Sequence, residues 1–161
     1  MKKAFTLIEL LLVVTVISIL AVSVFVALDP SKRLKDTKDA RRATDADTIL
    51  SAIHQAIVDN KGSLPSAITS PMAITMLGTG AACNVTPGTY CGSVPAGCIN
   101  PMMGTINLST YLKSMPIDPN GATGSPAYDG SKTGYAVTVD ANGIVTVTAC
   151  NSENSAISVS R

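Results

Sequence analysis

The chain has no tryptophan, two phenylalanines, four tyrosines and a single histidine among 161 residues. None of these rings lies between Lys32 and Arg42, the basic segment on which bases would have to stack, which argues against nucleic-acid binding there. The lone His54 excludes chemistry that needs paired imidazoles, and its helix neighbours offer no acidic or cysteine partner at ligand spacing. Neither a Gly-rich phosphate loop nor a CxxC pair is present. Charged residues make up only 14% of the chain, and its carboxylates are scattered rather than paired for acid–base work. No enzyme, cofactor or resident metal is expected.

Against these absences stands one long hydrophobic run. Leu10 to Leu28 reads LLLVVTVISILAVSVFVAL, 19 residues without a charge. As a helix rising about 1.5 Å per residue, it spans most of a bilayer core of about 30 Å. A buried core helix is the competing reading, and it fails because the remaining chain is too small to cover such a run on every side. Lys2 and Lys3 precede the run and hold that end in the cytoplasm, which sends the remainder outward. Cys83, Cys91, Cys98 and Cys150 all lie in the exported part, consistent with an oxidising compartment and two disulfides. Four cysteines allow three pairings, and the sequence does not choose among them.

An ordinary secretory signal also begins with lysines and an apolar core, and Ala21 and Ser23 mimic its small-residue cleavage site. The core, however, runs unbroken through Phe25 to Leu28, and a carboxylate, Glu9, sits inside its beginning. A lone acid near the top of a span costs several kcal/mol (about 3) unless it is interfacial or paired. Both explanations of Glu9 are open on the residues alone.

The stretch Ala4-Phe5-Thr6-Leu7-Ile8-Glu9 resembles the prepilin-peptidase motif of type IV pilins and type II secretion pseudopilins. The resemblance implies cleavage between Ala4 and Phe5, N-methylation of Phe5, and Glu9 as the carboxylate that directs assembly. Ala4 stands where most family members have Gly. On this reading the partner of Glu9 is the new terminal ammonium of a neighbouring subunit, a charge pair that favours one axial register. It implies an α+β fold: a long N-terminal α-helix, its apolar half membrane-spanning and its amphipathic half packed on the head, with a small C-terminal antiparallel β-sheet. The expected divisions are a leader at 1–4, a transmembrane or filament-core helix at 5–28, an amphipathic continuation at 29–61 and a globular head at 62–161.

Asp29-Pro30-Ser31 follows the run, and Pro30 removes a helix hydrogen bond, so the helix kinks or restarts there. Pro30 also resembles the proline that marks a curved segment in the family. Beyond it, Leu34, Ala46, Ile49, Leu50, Ile53, Ala56 and Ile57 recur at helical spacing, a stripe that packs on a sheet. The mixed charges from Lys32 to Asp47 read as a solvated or subunit-facing surface. A nucleic-acid patch over Lys32 to Arg42 is the sharper alternative, and the aspartates interleaved with the basic residues argue against it. Lys32 and Arg33 can also meet lipid headgroups. Asn60-Lys61-Gly62 with Pro65 stops the helix, with Gly62 suited to the left-handed cap.

Leu64 to Pro116 is loop-rich, with short apolar patches at Met72 to Leu77 and Ile106 to Leu112 and a small helix or strands near Leu108 to Lys113. Met115-Pro116-Ile117-Asp118-Pro119-Asn120-Gly121 resembles the Pro-x-Asp-Pro-x-Gly turn before the C-terminal hairpin of pseudopilins and related pilins. Asp118, Asp129 and Asp140 are oxygen donors of the kind calcium takes, but their spacing forms no EF-hand and argues against a calcium site. Gly134 to Val139 and Gly143 to Ala149 alternate apolar and polar residues around Asp140-Ala141-Asn142-Gly143, the pattern of a hairpin. Ala156 to Val159 adds an edge strand or trails.

The function implied by the resemblance is structural. The subunit waits in the bacterial inner membrane, is cut by prepilin peptidase, and is passed by the assembly machinery into a helical homopolymer at the cell surface. A pilin would serve adhesion, motility or DNA uptake, and the four cysteines and varied loop favour it. A pseudopilin would form a periplasmic piston instead. A membrane-tethered binding module that does not polymerise is the alternative of a different class.

Overall fold

The computed structural model describes residues 5–81, 83, 90–92 and 97–161. They fall into two compact units divided between Asp36 and Thr37. The boundary falls inside the 29–61 segment expected as one continuation.

In the first unit, helix α1 runs Leu7–Leu28. Thr6 caps its start in an extended conformation, and its hydroxyl accepts from the Glu9 N–H at 3.3 Å. No residue of α1 is buried. Its three interior hydroxyls turn inward on the helix itself: Thr15, Ser18 and Ser23 donate to the carbonyls of Leu12, Val14 and Leu20 at 2.8, 2.7 and 2.8 Å. Back-bonding of this kind conceals the polar atoms, leaving an almost purely apolar surface. The helix is long and apolar enough to cross a membrane.

At Asp29 the path is reset rather than gently kinked. Asp29 adopts φ 37°, ψ 77°, the left-handed region that a short polar side chain tolerates. It then caps the next helix, α2, Pro30–Asp59, by accepting the Lys32 N–H on its carboxylate at 3.3 Å and the Arg33 N–H on its carbonyl at 3.2 Å. Pro30 is therefore the first helical residue, where a missing N–H costs nothing.

The second unit packs α2 from Thr37 onward against a four-stranded antiparallel sheet ordered β1-β2-β3-β4: Met72–Met76, Tyr135–Val139, Val145–Ala149 and Ile157–Ser160. Ala46, Ile49, Leu50, Ile53 and Ala56 bury the face of α2 that the stripe marked, against Val137, Val139, Val145 and Val147. Leu34, counted in that stripe, is 66% exposed and lies in the first unit. Ala52, absent from it, is buried. The hairpin pairs Val139 with Val145, and Asp140 holds its turn by accepting the N–H groups of Asn142 and Ile144, each at 2.8 Å.

The sheet is covered on its other face as well. Ala136, Met76 and Tyr128 pack there with Cys83, Cys91 and Cys150. Disulfides join Cys83 to Cys98 and Cys91 to Cys150, with Cα–Cα separations of 5.3 and 4.9 Å. The second ties the loop to the end of β3.

One local expectation changes and two are decided between their alternatives. The α2 terminus is a Schellman motif in which Gly62 N–H reaches Ile57 O at 2.8 Å and Lys61 N–H reaches Val58 O at 3.3 Å, so Lys61, at φ 57°, and not Gly62 takes the position just past the cap. The expected small helix near Leu108 to Lys113 is one turn, with the Tyr111 and Leu112 N–H groups both donating to Leu108 O. The trailing segment is a true edge strand, β4, pairing Val159 with Val147.

Gly134 sits where β2 begins, at φ 87°, and a Cβ there would come within 2.8 Å of the Asp118 Cβ and 3.1 Å of the Tyr128 ring. Gly134→Ala is expected to lower head stability by about 2 kcal/mol or more, measured by chemical unfolding of the full chain. An unchanged midpoint would contradict this packing.

Candidate functional site

Two places concentrate chemistry. The first is the start of α1. Phe5 is 74% exposed just before the cap, and Glu9 is exposed in the first turn of an otherwise apolar helix. The side chains of Thr6 and Glu9 approach at 3.5 Å while the Thr6 hydroxyl takes the Glu9 N–H, so Thr6-x-x-Glu9 forms one side of a capping box. Sequence reasoning passed over Thr6, although Ser/Thr followed three residues later by Glu before an apolar run is the signal for it. The first turn of a helix is also where its dipole favours a carboxylate, which offsets part of the cost of placing Glu9 beside lipid. Ala4, with the expected cleavage bond, lies outside the described residues.

The second is a charged cluster at the head end of α2. Arg42 is completely buried and grips Asp118 with both arms of its fork, Nε to Oδ2 at 2.7 Å and Nη2 to Oδ1 at 3.0 Å. Its remaining nitrogen, Nη1, donates to Asp39 at 2.9 Å. Burial by itself opposes the guanidinium charge, but the hydrogen bond and charge of Asp118, followed by those of Asp39, raise the Arg42 pKa above its ordinary value. Asp39 in turn accepts the backbone N–H groups of Glu153 and Asn154, each at 2.9 Å. Burial raises its pKa, and these bonds together with Arg42 outweigh that and hold it below 3.8. Lys38 adds a 3.0 Å bond to Asn120, and Tyr135 donates to Asp45 at 2.8 Å.

This cluster revises the reading of Lys32 to Asp47 as solvated or subunit-facing surface. Arg42, Asp39 and Asp45 point into the head, fastening α2 to the Asp118 turn, the 152–154 loop and β2. Arg42 lies four residues before Ala46, so extending the apolar stripe one turn backward would have found it. The nucleic-acid reading loses support, because Arg42 is enclosed, Lys38 bonds Asn120 and Arg41 faces Asp45 at 3.7 Å.

The calcium candidates are turned to local work. Asp118 faces Arg42 and accepts the Asn120 N–H at 2.9 Å, while Asp129 accepts the Ser131 N–H at 2.8 Å. Hydrogen bonds from Ser131 lower the Asp129 pKa, and backbone bonds led by Ile144 lower that of Asp140. Among the described residues, no three metal-ligating side chains converge. His54 sits half-buried on α2 with Nε2 unpartnered among those residues.

With this geometry in place, comparison with known proteins adds one finding: residues 1–25 match the family model described as the prokaryotic N-terminal methylation motif. The chain carries the class III signal of type IV pilins and pseudopilins. The motif covers Phe5, Glu9 and most of α1, and it supports a type IV pilin-like or pseudopilin subunit. This signal class implies processing by prepilin peptidase, and together with the apolar helix it fits an inner-membrane precursor. The pilin-type family is structural rather than catalytic. No curated protein and no solved structure matches the chain significantly.

Removing one partner of a buried ion pair strands the other, at about 3–5 kcal/mol. Arg42→Met is expected to destabilise the head by that amount, and Arg42→Met with Asp118→Leu to recover most of it, read by urea unfolding. Because the folded pKa of Asp39 is depressed, its stabilisation is present above 3.8 and lost as pH falls through the lower folded value. Asp39→Asn should therefore flatten the stability profile as pH falls below 3.8. An unchanged slope would dissociate Asp39 from the 152–154 loop.

Proposed function

We propose that the chain is a pilin, a structural subunit that polymerises through α1 once its leader is removed between Ala4 and Phe5. The observation that carries this reading is a 22-residue apolar helix without one buried residue, opened by a single carboxylate and covered over most of its length by the methylation motif. In the membrane, lipid covers α1. In a filament, copies of α1 cover one another, so little apolar free energy separates the two states and register must come from packing and charge. Ile17, Leu20, Ala21, Val24, Phe25 and Leu28 line a shallow apolar groove along α1, a surface suited to a neighbouring helix. Glu9 supplies the charge: the free, methylated ammonium at Phe5 of an adjacent subunit is the counter-ion for a carboxylate drawn into an apolar core.

The pseudopilin reading retains a specific argument, the Asp118-Pro119-Asn120-Gly121 turn. Here it is built as a β-turn, with Gly121 N–H donating to Asp118 O at 2.9 Å and Gly121 at φ 60°. The two disulfides and the varied loop they join weigh toward the displayed pilin. A tethered module would need neither cleavage nor Glu9.

Mass spectrometry of material sheared from native cells is expected to find a chain beginning at methylated Phe5. Glu9→Ala is expected to leave the head folded and the chain inserted while abolishing the sheared fraction. Uniform filaments built from Glu9→Ala would sink the mechanism, and an intact Met1 with nothing sheared would favour the tethered module.

A further inference from the structure

We propose that Lys38 and Asn120 condense to an intramolecular isopeptide bond, a covalent clamp between α2 and the turn that leads into β2, formed once in the folded head with loss of ammonia. Lys38 Nζ lies 3.0 Å from Oδ1, the amide oxygen of Asn120. A C=O bond is about 1.2 Å long, so Nζ stands no more than about 4.2 Å from Cγ, the atom that an amine attacks. The electrophile is held in place. Asp118 accepts the Asn120 backbone N–H at 2.9 Å and is itself gripped by both arms of the enclosed Arg42. The nucleophile comes from a helix fastened to the same Asp118 through Arg42, so the pair reacts as one molecule and the entropic cost of bringing two reactants together falls away.

Two groups beside the pair supply what an unassisted amide lacks. Arg42 Nη2 lies 3.4 Å from the same Oδ1, a fixed positive charge where the tetrahedral intermediate develops a negative one. Glu153 Oε1 lies 3.9 Å from Nζ, on a loop that Asp39 pins through the Glu153 and Asn154 N–H groups. Lys38, Asn120 and Glu153 are all half-buried. In the reaction Glu153 takes a proton from the Lys38 ammonium, and the freed Nζ lone pair forms the Nζ–Cγ bond as the carbonyl electrons move onto Oδ1 beside Arg42. Glu153 returns that proton to Nδ2, the Cγ–Nδ2 bond breaks, and the nitrogen leaves as ammonium with the further proton that Nζ sheds. Nothing is oxidised or reduced. The step happens once per chain, so a rate far below enzyme turnover suffices. Lys38 is the second residue of the head unit, and the bond closes a separation of 82 residues. A tie of that span constrains the unfolded chain as a long-loop disulfide does, and it sits where α2 enters the head, whether or not the chain polymerises.

The test is mass spectrometry of the full-length chain after reduction of its disulfides. The wild type is expected about 17 Da below the mass of its sequence between its observed termini, the loss of one ammonia. Trypsin is expected to release one species joining residues 36–41 to residues 114–132, since a condensed Lys38 is no longer a cleavage site. Lys38→Arg keeps the charge but has no amine to condense, and is expected at full mass with the head folded. Glu153→Gln is expected to leave most chains at full mass. A wild-type chain at full mass with no linked peptide would overturn the proposal, as would undiminished linkage in Glu153→Gln. The same mass loss persisting in Lys38→Arg would overturn it too, because succinimide closure at Asn120-Gly121 or Asn142-Gly143 also expels one ammonia and needs no lysine.

Discussion

An apolar helix that buries nothing within its own chain is the constraint from which the rest follows. Water cannot cover α1 without a large hydrophobic penalty, so lipid or other copies of the helix must. Each local detail of α1 conforms to that demand. Its interior hydroxyls are bonded to its own carbonyls, its interior carries no charge, and its one carboxylate is confined to the first turn, where the cap and the dipole lessen the cost. The proposed filament uses the same surface twice, first against lipid and then against neighbouring subunits.

The head answers a different problem. Its helix and sheet bury a modest aliphatic core, and one face of the sheet is covered by a loop with little apolar content, which the two disulfides secure. At the other end of the helix, Arg42 makes the connection that hydrophobic packing does not. Its fork on Asp118 fixes the turn leading into β2, and Asp39 beside it fixes the loop leading into β4. A buried ion pair adds little net stability over a well-packed apolar pair, yet losing either partner strands the other, so Arg42 and Asp118 hold the turn and the helix together as a unit.

Much of this was legible in the sequence because it depends on periodicity. The uncharged run, the stripe from Ala46 to Ile57 and the alternating strands at 135–139 and 145–149 each advertise the face they bury. What escaped was non-local or atypical. Arg42 looked like one more solvated charge, since its partner lies 76 residues away. The alternation around Ala136 does not show that the second face of the sheet is covered, because its cover comes from residues distant in the sequence. Lys61 stands where a glycine is customary, so the cap was assigned one residue late.

The sequence by itself determined that α1 is apolar throughout, that one carboxylate opens it, that a methylation motif frames that carboxylate and that an α+β head follows. These are properties of short windows, and a window of residues carries its own hydrophobic pattern wherever it is placed. Tertiary structure alone decided which cysteines meet, which face of the sheet each loop covers and which of ten neighbouring charges, Lys32 to Asp47, turn inward. Those outcomes depend on chain segments brought together across long separations, where the energy of a contact exists only after the fold has closed the distance.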